Sequence, residues 1–304
     1  MSQASISVQT PNQQANSASR KVSSKQTSGS FWSKFRDKAP STIMLWFLVI
    51  CFAFPVFWLI LSSFKGADEL FAVPFSFFPK RWTTSGYAQA WSQIDFARYF
   101  GNTAVVAIIT TILTLIVSSM TGYALAKYDY WWTRLFFLGI LLTTMLPTEV
   151  IMSPSFLVVR DLGLYNTLAG IIVPSIITAT GIFMFRQFFI TVPDEMMQAA
   201  RVDGCSELQI FLRVMLPISK PCMVTLAIFS FQWRWNDYIW PLLILNDSKR
   251  FTLQVALRTL VGAEKINWAV LLPASVISMI PLVVIFMFCQ KYIVGSDVDA
   301  GFKG

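Results

Sequence analysis

The sequence predicts an all-α, polytopic membrane protein: six transmembrane helices with a polar two-helix loop on one side. Three observations predict it. Of the 304 residues, 55% are hydrophobic and only 13% are charged, against about 25% charged in an ordinary soluble domain. The mean hydropathy is +0.58. The apolar residues fall into six runs, near 43–64, 103–125, 135–159, 168–189, 224–245 and 270–293. Each run supplies about 20 residues or 30 Å of helix, enough to cross a hydrocarbon core.

Residues 1–40 are rich in Ser, Gln and Asn, with scattered Lys and Arg. Such a segment buries too little surface to offset its ordering entropy, so a disordered tail is expected. Its first apolar run comes too late for a signal peptide, and no small-residue cleavage site follows. The membrane domain then covers 41–294, with the polar loop at 191–217, and 295–304 forms a short tail. Between the first two runs, residues 65–100 carry Phe71, Phe75, Phe77, Phe78, Trp82 and Trp91. These rings suit a membrane–water interface or a docking surface for another protein. Pro147 and Pro154 in the third run, and Pro273 and Pro281 in the sixth, predict kinked helices packed inside the bundle.

The fifth run holds a dense polar cluster: Gln232, Trp233, Arg234, Trp235, Asn236, Asp237, Tyr238 and Trp240. Charges at membrane depth are costly and seek partners or water. Arg234 and Asp237, three apart, can meet on one helix face. Two readings stand: these side chains line a translocation path, or they form a satisfied pair that packs the helix against a partner subunit.

Charge sets the orientation. One side collects fourteen basic residues, from the 1–40 tail, Lys127, Arg134, Arg186, Arg201, Arg213, Lys220, Lys291 and Lys303; the other collects nine. The richer side belongs in the cytoplasm, which places both termini and the 191–217 loop there. The net charge of +8 is therefore read as topology, with no nucleic-acid partner. There is no His, and Cys51, Cys205, Cys222 and Cys289 lack metal-ligand spacing, so neither a metal site nor a disulfide is expected. No Gly-x4-Gly-Lys-Ser/Thr loop is present, so the chain does not hold ATP in that way.

The loop reads as two short helices around a corner. Thr191 or Val192 caps the first, with Pro193 in its first turn and Asp194 and Glu195 at the positive end of its dipole. Gly204 stops it. Ser206 caps the second, with Glu207 in its first turn. Leu208, Phe211, Leu212 and Met215 form one apolar stripe, ended by Pro217 and Pro221. Ala199 and Ala200 leave one face thin enough for another protein to approach.

Gln198-Ala199-Ala200, then three residues ending at Asp203, then Gly204, nine residues, and Val214-Met215-Leu216-Pro217 resembles the Glu-Ala-Ala…Gly…Ile-x-Leu-Pro loop of binding-protein-dependent ABC importer permeases. Gln198 stands where that family has Glu, which removes an ionic contact and leaves a hydrogen-bonding one; Val214 stands for Ile. The resemblance extends over about residues 40–304. It includes Phe185-Arg186-Gln187-Phe188-Phe189, Trp235-Asn236-Asp237 and the closing Ala300-Gly301-Phe302-Lys303-Gly304, which is similar to the smaller membrane subunit of maltose-type sugar importers. It implies a non-enzymatic permease subunit in the inner membrane of a prokaryote that passes a sugar by ATP-driven alternating access. A second homologous permease, two copies of an ABC ATPase that carry the ATP and Mg, an extracytoplasmic solute-binding protein and membrane lipid are the implied partners; this chain binds no cofactor itself. Glu195, Gln198, Ala199, Ala200, Asp203, Gly204, Leu216 and Pro217 become the ATPase-coupling residues, and the indoles of the fifth run become surfaces for sugar rings.

Two other classes compete, an ion-coupled transporter and a membrane-embedded enzyme, and one alternative, a permease for a phosphorylated polyol, stays inside the family. An ion-coupled transporter needs buried carboxylates; Asp237 and Glu149 are the candidates, and that class leaves the 191–217 pattern unexplained. A permease for a phosphorylated polyol wants basic residues along its path, and Arg234 is the visible one. A membrane-embedded enzyme finds no nucleophile–base spacing here.

Overall fold

The computed structural model describes residues 31–93, 95–261 and 266–301, and the described residues contain helices and no strand. Residues 1–30 and 302–304, and with them most of the expected tail, lie outside the described residues. Helix α1, Phe31–Ser63, begins inside the 1–40 segment expected to be disordered; once a helix is nucleated in an apolar run, extending it costs little. Over Thr42–Ser63 it is long and apolar enough to span a membrane, and Ile43, Trp46, Phe47 and Phe52 are exposed.

Residues from Leu59 onward form a second compact unit. The 65–100 segment is not a bare loop: it contains α2 (Ala67–Leu70) and α3 (Ser85–Gln93), and α4 (Phe96–Lys127) starts within it. Helix α4 is the central post. Its buried line of Ala107, Thr111, Thr114, Ser118 and Gly122 is made of small side chains, which let membrane helices approach closely. It packs along α8 (Ala179–Ile190) and α12 (Lys220–Trp235). At Gly122 a Cβ would lie 2.5 Å from that of Phe185, so only Gly fits.

Among the described residues, four helical segments are long and apolar enough to cross a membrane, 168–190 among them despite a local break. Counting two bent pairs, 131–161 and 207–235, as one span each raises the number to as many as six. The third predicted span is one such pair. Helix α5 (Trp131–Thr144) meets α6 (Thr148–Asp161) at 110°, a corner at Pro147 far sharper than a proline kink. The fourth is interrupted after α7 (Leu168–Ser175): Ile176–Thr178 leave the helix, and the Thr178 hydroxyl accepts the Gly181 N–H at 3.3 Å to cap α8. The fifth ends at Trp235, and α13 (Ile239–Ile244) resumes after Asn236–Tyr238. Past α14 (Leu253–Val261), helix α15 (Trp268–Gly301) runs through Pro273 and Pro281 as one helix.

The 191–217 loop is seated on the bundle by its own core. Met197, Ala200, Ile210, Phe211 and Met215 pack on Tyr123, Phe185 and Phe189 at the ends of α4 and α8. Two further cores hold the other end of the bundle, one around Phe96 and Trp235, one around Val106, Ile171 and Trp240.

Candidate functional site

The loop follows the expected plan with four corrections. Its first helix, α9, is Glu195–Val202; Pro193 lies outside it, and neither Thr191 nor Val192 caps it. Asp194 occupies the cap position with no side-chain bond to the helix, because its carboxylate is taken by Lys127. The stop at Gly204 stands as expected. With φ +80°, Gly204 donates its N–H to Arg201 O and Cys205 donates to Ala200 O, both at 3.0 Å. This paired pattern closes the helix end.

Helix α10 (Glu207–Ile210) is capped by Ser206, whose hydroxyl accepts the Gln209 N–H at 3.4 Å while the Gln209 side chain accepts the Ser206 N–H at 2.9 Å. A π-helical segment, Phe211–Met215, follows. Its wider turn shifts the helical phase, so the expected stripe divides: Phe211 and Met215 are buried with Ile210, whereas Leu208 and Leu212 are exposed. Pro217 sits inside the short helix α11 (Leu216–Ile218), and Pro221 opens α12 instead of ending the loop. Ala199 and Ala200 point to different faces. Ala200 is buried in the core beneath the loop, while Ala199, Gln198, Glu195 and Asp203 are exposed. The outward surface of the loop is therefore partly apolar, with Met196, Val202, Leu208 and Leu212 open to contact.

Two posts that sequence reasoning missed join this loop to the end of α4. The Lys127 side chain, 4% exposed, donates to Asp194 Oδ1 and to Val192 O, each at 2.6 Å. The Tyr128 hydroxyl donates to Glu207 Oε2 at 2.5 Å, and Arg201 holds the same carboxylate through Nε at 2.8 Å. The Lys127 bond holds the Asp194 carboxyl below its ordinary range. Arg201, then Tyr128, does the same for Glu207. Desolvation, then donation to Glu207, pushes the Tyr128 phenol up.

The pH dependence follows from these signs. The carboxylate contribution to loop attachment is present above the ordinary carboxylate range and is lost as pH falls through the depressed values. The phenol contribution is lost only as pH rises past the ordinary tyrosine value of about 10. Hydrogen exchange at the α9 amides is therefore expected to be slow and flat near neutral pH, after correction for intrinsic rates. It should show extra opening below about pH 4.

The second site is a cavity of about 610 Å3 where the three helix interruptions converge. Thr148, Met152 and Ser155 reach it from α6, and Pro174, Ser175, Ile177 and Thr178 from the break before α8. Gln232, Trp233, Arg234, Asn236, Asp237 and Trp240 reach it from the break after α12. Non-helical backbone at membrane depth is tolerated where it lines a cavity or is buried in protein.

Arg234 and Asp237 pair at 3.1 Å, but across the end of α12 and not along one helix face. Arg234 also donates to the Ser175 hydroxyl at 2.8 Å, so the pair ties α12 to α7 within this chain. The members of the polar cluster separate. Trp235 is 1% exposed, stacks on Phe231 at 5.3 Å and donates to Ser278 O at 2.9 Å, so it is packed inside the bundle and does not line the cavity. Trp233 is 40% exposed at the cavity wall and stacks on Phe229. Tyr238 lines a different, smaller cavity with Arg258 and Trp268. Ser175 and Thr178 were missed; the signal available was a hydroxyl pair flanking Ile176–Ile177 just after Pro174.

The chain matches the family model described as "Binding-protein-dependent transport system inner membrane component" over residues 118–295. It is similar to the arabinooligosaccharides transport system permease protein AraQ of Halalkalibacterium halodurans, 36% identical over 274 residues that cover 87% of this chain and 98% of that one. It is 31% identical over 266 residues to the sn-glycerol-3-phosphate transport system permease protein UgpE of Rhizobium meliloti, covering 84% and 94% of the two chains. A chain in the crystal structure of a bacterial ABC transporter that imports the acidic polysaccharide alginate superposes with a TM-score of 0.77 at 25% identity, covering 85% of this chain and 97% of that one. An all-α membrane bundle with the family model over more than half its length, and relatives above 30% identity across most of it, belongs to the inner-membrane permease components of binding-protein-dependent transport systems.

Proposed function

We propose that this chain is one membrane-spanning subunit of an ATP-driven importer for an oligosaccharide, and that the 610 Å3 cavity is its translocation path. The observation that carries the reading is the convergence of three interrupted helices on a cavity whose wall mixes hydroxyl and amide groups with one open indole. Thr148, Ser155, Thr178, Gln232 and Asn236 offer hydrogen bonds to sugar hydroxyls, and the face of Trp233 offers a stacking surface. The 191–217 loop lies at the cytoplasmic side, where the exposed Gln198, Ala199, Val202 and Leu208 meet an ABC ATPase. ATP and Mg reside in two copies of that ATPase and not in this chain. A second, homologous permease completes the membrane pore, and a solute-binding protein delivers the sugar outside. Both termini are cytoplasmic, in the inner membrane of a prokaryote.

Closure of the ATPases pushes the loop. The loop is stiff because of its Gly204 corner, its capping box and its core, and Lys127 and Tyr128 pass the push to α4. The relatives that carry arabinooligosaccharides and alginate support a sugar. The runner-up is an anionic polyol, favoured by the UgpE likeness; against it, the charge of Arg234 is already matched by Asp237 at 3.1 Å. The test is uptake into proteoliposomes holding the full assembly. Labelled arabino-oligosaccharide should enter only with ATP and binding protein. Entry driven by an ion gradient alone, or entry of glycerol phosphate in preference to the sugar, would contradict the reading.

A further inference from the structure

A second polar cavity, about 350 Å3, lies at the end of the bundle that carries the 191–217 loop, walled by Leu125, Tyr128, Asp129, Thr133, Arg134 and Arg186. Arg186 is fixed in place by α8. At Gly122 the two helices approach so closely that an added Cβ would stand 2.9 Å from the Arg186 nitrogen. Its guanidinium lies 4.0 Å from the centre of the Phe137 ring, and Nε donates to Leu125 O at 3.3 Å. Among the described residues, no ion pair joins it to a carboxylate. Arg134, by contrast, holds Asp129 through two bonds of 2.6 and 2.8 Å. Those two charges cancel, and the cavity keeps the single positive charge of Arg186.

The surroundings say what covers it. Tyr130, Trp131 and Trp132 stand exposed beside the cavity at the start of α5, where such rings settle at headgroup level. Leu138 and Leu142 follow Arg134 at i+4 and i+8, one above the other on the same helix face, and both are more than half exposed. The result is a cation in a polar recess, a collar of aromatic rings, and an apolar stripe running away into the membrane.

We propose that this recess binds the phosphate of an anionic phospholipid, with Arg186 donating to it and the acyl chains lying along Leu138 and Leu142. A guanidinium offers a planar fork to phosphate oxygens, and the ring beneath it leaves its outer N–H groups free to donate. The inference needs only that the chain spans a membrane, and it does not depend on the transported solute.

The test is native mass spectrometry of the purified full assembly, titrated with phosphatidylglycerol or phosphatidylcholine. The wild type should retain one phosphatidylglycerol that phosphatidylcholine does not replace. Arg186→Gln should weaken that retention about fivefold or more, the effect of one basic residue at a membrane surface. Arg186→Lys, which keeps the charge but loses the planar fork and the stacking on Phe137, should retain only part of it, and Arg258→Gln, which lines a different cavity, should change nothing. If Arg186→Gln does not assemble, Arg134→Gln carries the same test: with its partner gone, Asp129 faces the recess and should repel the phosphate. Equal retention of both lipids, full retention by both variants, or displacement by inorganic phosphate would overturn the proposal. So would a partner's helix, mapped by crosslinking from Leu138, lying where the lipid is placed.

Discussion

Replacing Asp237 by Asn alone is expected to destabilise the membrane bundle by about 3 kcal/mol, the cost of leaving one member of a buried ion pair without its counter-charge. Both side chains are mostly covered, 20% exposed for Arg234 and 16% for Asp237, so water reaches them only from the cavity side and the cost is taken from the lower end of the range for buried pairs. Ser175 still accepts from Arg234, but a hydroxyl does not neutralise a guanidinium. The variant should appear as a lower melting temperature of the detergent-solubilised assembly and a lower yield. Adding Arg234→Gln removes the orphan charge, and the double variant should regain most of the loss. It also separates the two readings of the cluster. If the cavity is the path, the double variant, once assembled, should import sugar with an altered KM or altered preference among oligosaccharides. Unchanged values would leave the pair a packing element.

Gly204→Pro is expected to uncouple ATP hydrolysis from uptake while the membrane bundle stays assembled. Gly204 sits at φ +80°, a region closed to proline, whose ring fixes φ near −65°. Proline also lacks the N–H that donates to Arg201 O at 3.0 Å. A forced backbone of this kind costs about 1–3 kcal/mol, and 1.36 kcal/mol is a factor of ten in a rate or a population. The ratio of sugar imported to ATP hydrolysed should therefore fall by about tenfold or more. Gly204→Asn is the control. Nothing lies within 4 Å of a Cβ built at this position, and asparagine tolerates the left-handed region, so coupling should largely persist. Normal transport by the proline variant would show that the corner transmits no force.

The spans were legible because hydropathy is summed over many residues and survives local error. Gly204 and Ser206 were legible for a different reason: a positive φ and a cap are demands made within a few residues. The interruptions were not. Thr178 becomes a cap, and α12 stops at Trp235, at the wall of a cavity that segments distant in sequence build together; the hydroxyl pair after Pro174 is the one local hint, and it does not by itself fix a break. Pro147 announced a kink and produced a 110° corner, whose size depends on what the two halves pack against. The phase of α9 was missed as well. Spacing reveals that a helix has faces, but Met197 and the core beneath it decide that Ala200 turns inward and Ala199 outward. Lys127 and Tyr128 bond to partners 65 to 79 residues away, a pairing that only the folded chain brings about.

The most direct measurement replaces Ala199, exposed on the outer face of the loop, with a photoreactive benzophenone amino acid and irradiates native membranes containing the whole assembly. The account predicts a covalent adduct with an ABC ATPase that strengthens or weakens with ATP. Adducts with lipid alone, with and without ATP, would contradict it.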